Sequence, residues 1–420
     1  MISSIRGFND ILSEETILWQ HIEECARNVF KTYGFSEIRI PILERTELFS
    51  RSIGNTTDIV EKEMYTFLDR NNESLTLRPE GTASVVRAYI EHKLYNSPTA
   101  KFYYLGPMFR YERPQKGRYR QFYQIGAEVF GIDEPRVDAE TLDMLLFLFN
   151  ELKLDNVKLE INSLGCKECR PLYKQKLKIF LSNKKEELCE NCQRRIDANP
   201  LRVIDCKSQK CIEITKDAPS ILDSICGNCK THFDDVKKYL ALFDRKYSIN
   251  PRMVRGLDYY TRTTFEITSN KLGAQNAVAA GGRYDGLVKE LGGHDTSGFG
   301  FAIGMERLAL LLKEAGGIIE PEPTIFLIGI GEKAEIEAIR ILKELRESGF
   351  IAEMGYQNKG IKNQMKIADK LGARIALILG DDELANNEIT LKDMKTGEQD
   401  RVKIEGLATG LKTLNIKKQA

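Results

Sequence analysis

Residues Phe109 to Gly126 read F-R-Y-E-R-P-Q-K-G-R-Y-R-Q-F-Y-Q-I-G, and no other stretch restricts the fold as strongly. Five basic side chains, Arg110, Arg113, Lys116, Arg118 and Arg120, fall within eleven residues against one acid, Glu112. Pro114 and Gly117 sit in the middle, with Phe102, Tyr103 and Tyr104 before them and Phe122, Tyr123 and Ile125 after. That pattern predicts an antiparallel hairpin with a positively charged loop. Guanidinium groups grip phosphate oxygens in pairs, and aromatic faces stack on bases. A solvated basic hairpin without a ligand is the plainer alternative, and the Arg-x-Glu pair closing an apolar strand argues against it.

At 420 residues the chain exceeds one ordinary core, so two or three domains are expected. It carries 62 basic and 61 acidic residues, for a net charge of +1. A uniformly basic nucleic-acid coat is excluded, and any polyanion contact must be local. The longest apolar run, near Leu142–Phe149, falls far short of the roughly 20 residues of a spanning helix. The start, Met1-Ile-Ser-Ser-Ile-Arg-Gly-Phe, lacks a signal-peptide layout. A cytoplasmic chain with no membrane partner is the expectation.

Helical spacing runs from Thr16 to Tyr33 and stops at Gly34. Phe35–Glu44 alternates like a strand, which Pro41 confines to an edge or a bend. Further strands are predicted at Ser74–Leu77, Lys101–Leu105, Gln121–Gly126, Lys158–Ile161, Thr263–Ile267, Ala277–Ala280 and Thr296–Ile303. Several are linked as hairpins, so residues 1–320 read as an α+β domain, an antiparallel sheet flanked by helices. Between Cys166 and Asn250 the texture becomes helical and cysteine-rich, like an insertion. A proline-bearing linker at Pro321 leads to a β-α-β-α-β alternation, which predicts a small α/β domain over 324–420.

Eight of nine cysteines fall in close pairs: Cys166/Cys169, Cys189/Cys192, Cys206/Cys211 and Cys226/Cys229. Three pairs are C-x-x-C, the knuckle that brings two thiolates to one tetrahedral zinc. Structural zinc is therefore favoured over disulfides in a cytoplasmic chain. Whether one ion or two, and which pairs combine, is left open by spacing. Reduced thiols packed as small apolar residues are the alternative. Cys25 lies apart at an apolar helical position, and His232 is at most a reserve ligand.

Four more clusters could carry chemistry. Thr76-Leu-Arg-Pro-Glu-Gly-Thr82 ends a strand and opens a helix, with Thr82 and Ser84 as candidate caps and Glu80 placed to hold a cation. Arg255-Gly-Leu-Asp-Tyr-Tyr260 sets a cation beside two phenols. Ala279-Ala-Gly-Gly-Arg-Tyr-Asp-Gly-Leu287 reads as a glycine turn entering a helix. Gly298-Phe-Gly-Phe-Ala-Ile-Gly304 misses the dinucleotide spacing because Ile303 stands where a third glycine is needed. There is no phosphate-binding P-loop either, so arginines would have to hold any nucleotide.

Together these segments resemble the histidyl-tRNA synthetase family, class II aminoacyl-tRNA synthetases, over essentially the whole chain. Motif 1 resembles the helix and strand ending at Pro41, motif 2 the Phe109–Glu112 hairpin, and motif 3 Gly304-Met-Glu-Arg307. The Arg255–Tyr260 and Ala280–Asp285 segments resemble the two that mark the histidine members. The resemblance implies activation of L-histidine with ATP and Mg2+, transfer to the 3′ end of tRNA(His), and a homodimer built on motif 1. It places Arg110 and Arg255 at the α-phosphate, Arg307 at the γ-phosphate, and Arg118 and Arg120 on further phosphate oxygens. Glu112 and Phe122 would hold the adenine. Glu80, Gly81, Thr82 and Gln124 would line the α-amino site. Glu128 and Tyr260 would read the imidazole, with Tyr259 beside them. Arg113 and Gln115 would meet the tRNA acceptor end. The inserted domain would lean on the acceptor stem, and the C-terminal domain would read the anticodon region. The eight cysteines depart from the common family pattern, so their metal would be structural. The nearest rival is the synthetase-like regulatory subunit of ATP phosphoribosyltransferase. That subunit typically lacks the C-terminal domain and the loop arginines present here.

Overall fold

The computed structural model describes residues 2–54, 57–97, 100–272, 276–316, 324–355 and 360–413. Backbone contacts divide it into two units, Met1–Ile318 and Ile319–Ala420.

In the first unit the strands are β1 (Ser36–Glu37), β2 (Leu43–Arg45), β3 (Tyr65–Leu68), β4 (Ser74–Leu77), β5 (Ala100–Phe109), β6 (Gln121–Phe130), β7 (Lys158–Ser163), β8 (Ser248–Ile249), β9 (Thr261–Thr268), β10 (Ala277–Arg283) and β11 (Gly298–Gly304). Eight of these form one sheet in the order β1-β5-β6-β11-β10-β9-β7-β8. The six central strands are antiparallel, as predicted. Only the two-residue edges β1 and β8 run parallel to their neighbours.

The hairpin is longer than its sequence signal. β5 and β6 pair from Ala100↔Phe130 to Phe109↔Gln121. Its loop closes through paired backbone bonds between Gln115 and Arg118, around Gly117 at a left-handed φ of 71°.

The strand expected over Phe35–Glu44 is instead two short strands in two sheets. Pro41 has no N–H to give a ladder, so residues 38–42 leave the main sheet. The buried Arg78 guanidinium donates to the freed carbonyls of Ile40 and Pro41. Beyond that break, β2, β4 and β3 make a separate antiparallel sheet, of which only β4 is legible in the sequence.

The turn expected over Ala279–Leu287 falls later than its paired glycines: Gly286, at a left-handed φ of 104°, opens the helix Leu287–Glu290. Gly281 and Gly282 lie inside β10. A Cβ on Gly281 would stand 2.1 Å from the Gly300 carbonyl oxygen, and one on Gly282 would stand 2.5 Å from that of Thr263. Glycine is required there by close strand approach.

The second unit holds β12 (Thr324–Gly329), β13 (Ile351–Met354), β14 (Ala373–Leu379), β15 (Glu388–Asp393) and β16 (Gln399–Lys403), in the order β13-β12-β14-β15-β16. The first three are parallel, joined by the helices Glu332–Glu347 and Ile361–Lys370. Ile325, Leu327, Ile341, Leu345, Ile375 and Leu377 form the core of this unit. The β15–β16 hairpin is an addition to the predicted alternation. Its charged, half-exposed strands carry too little apolar alternation to announce themselves. Residues 321–323 of the expected linker, and 414–420 at the chain end, lie outside the described residues.

Candidate active site

Strand β6 organises the site through its two-residue period. Phe122, Gln124, Gly126 and Glu128 project from one face. Gly126 and Gly81 leave the gap that the Tyr104 ring fills; a Cβ on either would stand 2.2–2.3 Å from that ring.

Glu128 is fully buried. The Thr82 hydroxyl donates to its Oε1 at 2.7 Å and the Tyr284 hydroxyl to its Oε2 at 2.6 Å. Burial pushes this carboxyl up to about 8, and those two hydrogen bonds oppose the rise. Room for the carboxylate comes from Gly300, where a Cβ would sit 1.8 Å from Glu128 Oε2. We expect Gly300→Ala to displace Glu128 and destabilise the fold by about 1–3 kcal/mol. Thermal melting checks this; an unchanged Tm would reject it.

Glu80 is the true helix cap. Its carboxylate accepts from the backbone N–H of Thr82 and Ala83 at 2.7 and 2.8 Å, opening the helix Thr82–Glu91. The expected caps fail for a simple reason: Thr82 is committed to Glu128, and Ser84 is buried inside the helix. The Tyr259 hydroxyl donates to Glu80 at 3.5 Å. Tyr259 packs on Tyr260, with ring centroids 4.7 Å apart, and meets Tyr284 edge-on at 5.8 Å. Gln124 Oε1 is buried without a hydrogen-bond partner among the described residues, so an acceptor there awaits a donor. Glu80, Thr82, Glu128, Tyr259 and Tyr260 are therefore joined by hydrogen bonds and ring contacts, with Gly81 beside Thr82 and Gln124 on the same face of β6 as Glu128.

Four guanidiniums converge beside it. Arg110 donates from Nε to the Pro79 carbonyl at 2.9 Å and lies over the Phe122 ring at 5.2 Å. Arg255 donates to Glu266 at 2.5 Å and lies 5.5 Å from the Tyr260 ring centroid. Arg307 donates to the Ala277 carbonyl at 2.8 Å. Arg118 is ion-paired with Glu112, so that carboxylate is engaged by the loop's own arginine. Burial first, and then neighbouring guanidiniums, hold Arg110, Arg118 and Arg307 below the ordinary arginine range. Such a cluster is set up for an anion.

Arg120 is not brought to this cluster. Its backbone N–H donates to Gly7, its Nε to the Glu112 carbonyl at 3.2 Å, and its guanidinium stacks on Tyr111 at 3.9 Å. Arg113 and Gln115 are exposed at the loop tip.

Sequence reasoning gave no role to Tyr104, Tyr284, Glu63, Glu266 or Asp138. Tyr284 had a signal: it follows Arg283, and the fully buried Arg283 pairs with buried Asp138 at 2.5 Å, fixing the strand end that aims the phenol at Glu128. Asp138 also pairs with His232 Nε2 at 2.9 Å, and each set of four sulfurs is complete without His232. The cysteines themselves gather as two sets, Cys166/Cys169/Cys226/Cys229 and Cys189/Cys192/Cys206/Cys211.

A six-stranded antiparallel core carrying an arginine hairpin and an arginine at a strand-to-helix junction fits the class II aminoacyl-tRNA synthetase fold, and comparison with known proteins bears this out. The family model for "Histidyl-tRNA synthetase" matches residues 7–308, and that for "Anticodon binding domain" matches residues 324–414. The chain belongs to the histidyl-tRNA synthetase family. It is 58% identical over 400 residues to the histidine–tRNA ligase of Geobacter sulfurreducens, covering 95% of this chain and 96% of that one. It is 55% identical to that of Syntrophotalea carbinolica, covering 98% of each. The crystal structure of apo Staphylococcus aureus histidyl-tRNA synthetase superposes with a TM-score of 0.81 at 40% identity, covering 98% of this chain and 100% of that one.

Proposed function

We infer that this chain is a histidine–tRNA ligase, activating L-histidine with ATP and transferring it to tRNA(His). The observation that carries the assignment is the buried Glu128, held by Thr82 and Tyr284, beside four converging guanidiniums. The carboxylate suits an imidazole and the cations suit a nucleotide. Two anions must meet when the histidine carboxylate attacks the α-phosphorus, and preorganised cations offset that charge. Positioning supplies much of the remaining rate.

In this reading Arg110 and Arg255 hold the α-phosphate and Arg307 the γ-phosphate, with Arg118 assisting once it leaves Glu112. Freed in the same step, Glu112 accepts from the adenine amino group while Phe122 stacks on the ring. Glu80, Gly81, Thr82 and Gln124 line the α-amino site, and Glu128, Tyr259 and Tyr260 the imidazole. ATP enters with Mg2+ as part of the substrate. Arg120 is supported only as a brace of the loop. Arg113 and Gln115, exposed at its tip, are free to touch the tRNA end.

The units are assigned as a catalytic domain over 1–320, with the cysteine-rich insertion at 166–250, and an anticodon-binding domain over 324–420. A homodimer is favoured by the exposed apolar residues Ile42, Leu43, Phe67 and Leu68 around motif 1 and the small sheet. A cytoplasmic location accords with the absence, among the described residues, of any helix long and apolar enough to cross a membrane. The regulatory-subunit reading is disfavoured by the full-length identity to histidine–tRNA ligases. A neighbour titled as that subunit or a synthetase, from Bacillus halodurans, is 18% identical and speaks to fold alone.

Amino-acid-dependent ATP–pyrophosphate exchange, without tRNA, tests the assignment. Exchange is expected with histidine and no other amino acid. Histidine binding without exchange would overturn it in favour of the regulatory subunit.

A further inference from the structure

Eight sulfurs arranged in two sets of four require a cation if they are thiolates. In the first set, Cys166 Sγ lies 3.5 Å from Cys169 Sγ and 4.0 Å from Cys226 Sγ, and Cys169 Sγ lies 3.8 Å from Cys229 Sγ. Four ligands at a Zn–S distance of about 2.3 Å in a tetrahedron stand about 3.8 Å from one another. The observed spacing brackets that value and is far from the roughly 2.05 Å of a disulfide. Backbone N–H groups point at the sulfurs, from Cys226 to Cys169 at 3.0 Å and, in the second set, from Cys189 to Cys211 at 3.3 Å. Both sets have all ligand atoms within 4.8 Å of one another.

The first set is also tied to the pocket. Cys166 lies between β7 and the helix Cys169–Ser182, which Cys169 opens, while Cys226 and Cys229 open the helix Gly227–Leu242. Gly165, next to Cys166, accepts from the Arg262 N–H at 2.9 Å, and Leu164 donates to the Arg262 carbonyl at 2.7 Å. Arg262 is held there at a left-handed φ of 46°. Arg170, next to Cys169, donates to the carbonyls of Asp258 and Tyr260. The knuckle thus grips the backbone on both sides of the two tyrosines.

The second set is bound within the insertion. It spans the helices Glu190–Ala198 and Gln209–Ile214 and meets the segment before the two tyrosines through Arg202, which donates to the Gly256 carbonyl at 2.9 Å, through Asn199, and through Arg252, which donates to Ile204 and Thr215.

We propose that the chain binds two zinc ions as separate tetrathiolate centres, and that the one at Cys166/Cys169/Cys226/Cys229 is a positioning element for the Asp258–Arg262 segment of the histidine pocket. The second centre holds the insertion together. The positioning half rests on the histidine reading; the metal half does not. Folding and metal binding are then linked, and each lost centre costs order in the elements it joins.

The test begins with metal analysis of the full-length chain, where two zinc ions per chain are expected, and with cobalt substitution, where tetrahedral thiolate absorption is expected. Cys226→Ser/Cys229→Ser should retain one zinc and raise the KM for histidine about tenfold to a hundredfold, with the KM for ATP little changed. Cys192→Ser/Cys211→Ser should also retain one zinc but shift the histidine KM far less. Arg170→Ala keeps every thiol, so it should retain two zinc ions and still raise the histidine KM. Fewer than two zinc ions per chain, or iron in their place, would overturn the metal assignment. Two zinc ions with an unchanged histidine KM in Arg170→Ala would overturn the positioning role. Zinc-loaded wild-type protein that exchanges no amino acid would instead strike the functional reading and leave the metal centres standing.

Discussion

Arg255→Ala lowers histidine-dependent ATP–pyrophosphate exchange by about 10²–10³-fold, with the loss in kcat and little change in the KM for histidine. In the proposed reading Arg255 meets the α-phosphate that the histidine carboxylate attacks. It is anchored by Glu266 at 2.5 Å and braced over Tyr260, with Arg110 as its neighbouring cation. An anchored guanidinium need not reorganise as charge develops on the α-phosphate, so its contribution is greatest in the transition state. Removing it leaves Glu266 unpaired, but that side chain is 26% exposed and can be hydrated, so the fold should survive. Arg255→Lys keeps the charge and loses the two-pronged geometry, and should recover only part of the rate. Steady-state exchange over a histidine series separates the cases. A fall of less than fivefold in kcat for Arg255→Ala would place the phosphate elsewhere.

Much of this site was legible because it is written in backbone-local patterns. The hairpin needed only β-prone flanks, Pro114 and Gly117; Phe122, Gln124 and Glu128 were given roles by the family resemblance, and the period of two on β6 sets them on one face. What escaped depends on the approach of distant segments. The paired glycines at 281 and 282 look like a turn in any short window. Only the proximity of β9 and β11 shows that they serve strand packing. Glu80 likewise reads as a free carboxylate until the helix beginning at Thr82 supplies its two N–H donors. The cysteine pairing was open for the same reason. Sets that combine residues 60 apart, such as Cys166 with Cys226, are set by how two helices return to one place. Arg120, for which the resemblance implies a phosphate contact, is instead engaged here by Gly7 and the Tyr111 ring.

Glu128→Gln should remove histidine activation almost entirely while making the ligand-free protein more stable at alkaline pH. The carboxyl is buried, and its pKa is raised from 4.5 to about 8 by that burial, with Glu80's charge adding to the rise. The folded value lies above the unfolded one, so the folded state holds a proton the unfolded state has lost. The stability associated with neutral Glu128 is fully present below pH 4.5 or so and is lost as pH rises to about 8. Integrated over that window, the term is at most about 5 kcal/mol. Glutamine keeps the shape and an acceptor for either hydroxyl, and both Thr82 and Tyr284 can accept from its amide. It carries no titration, so Tm for the variant should fall less steeply than wild type between pH 5 and 8. Activity should move the other way. A neutral amide cannot take charge from an imidazole N–H, and a site built around that bond loses about 10³–10⁴-fold when the pairing is wrong. Parallel Tm curves for the two proteins would show that Glu128 is already ionised in the folded state. Exchange retained within tenfold would show that it does not read the imidazole.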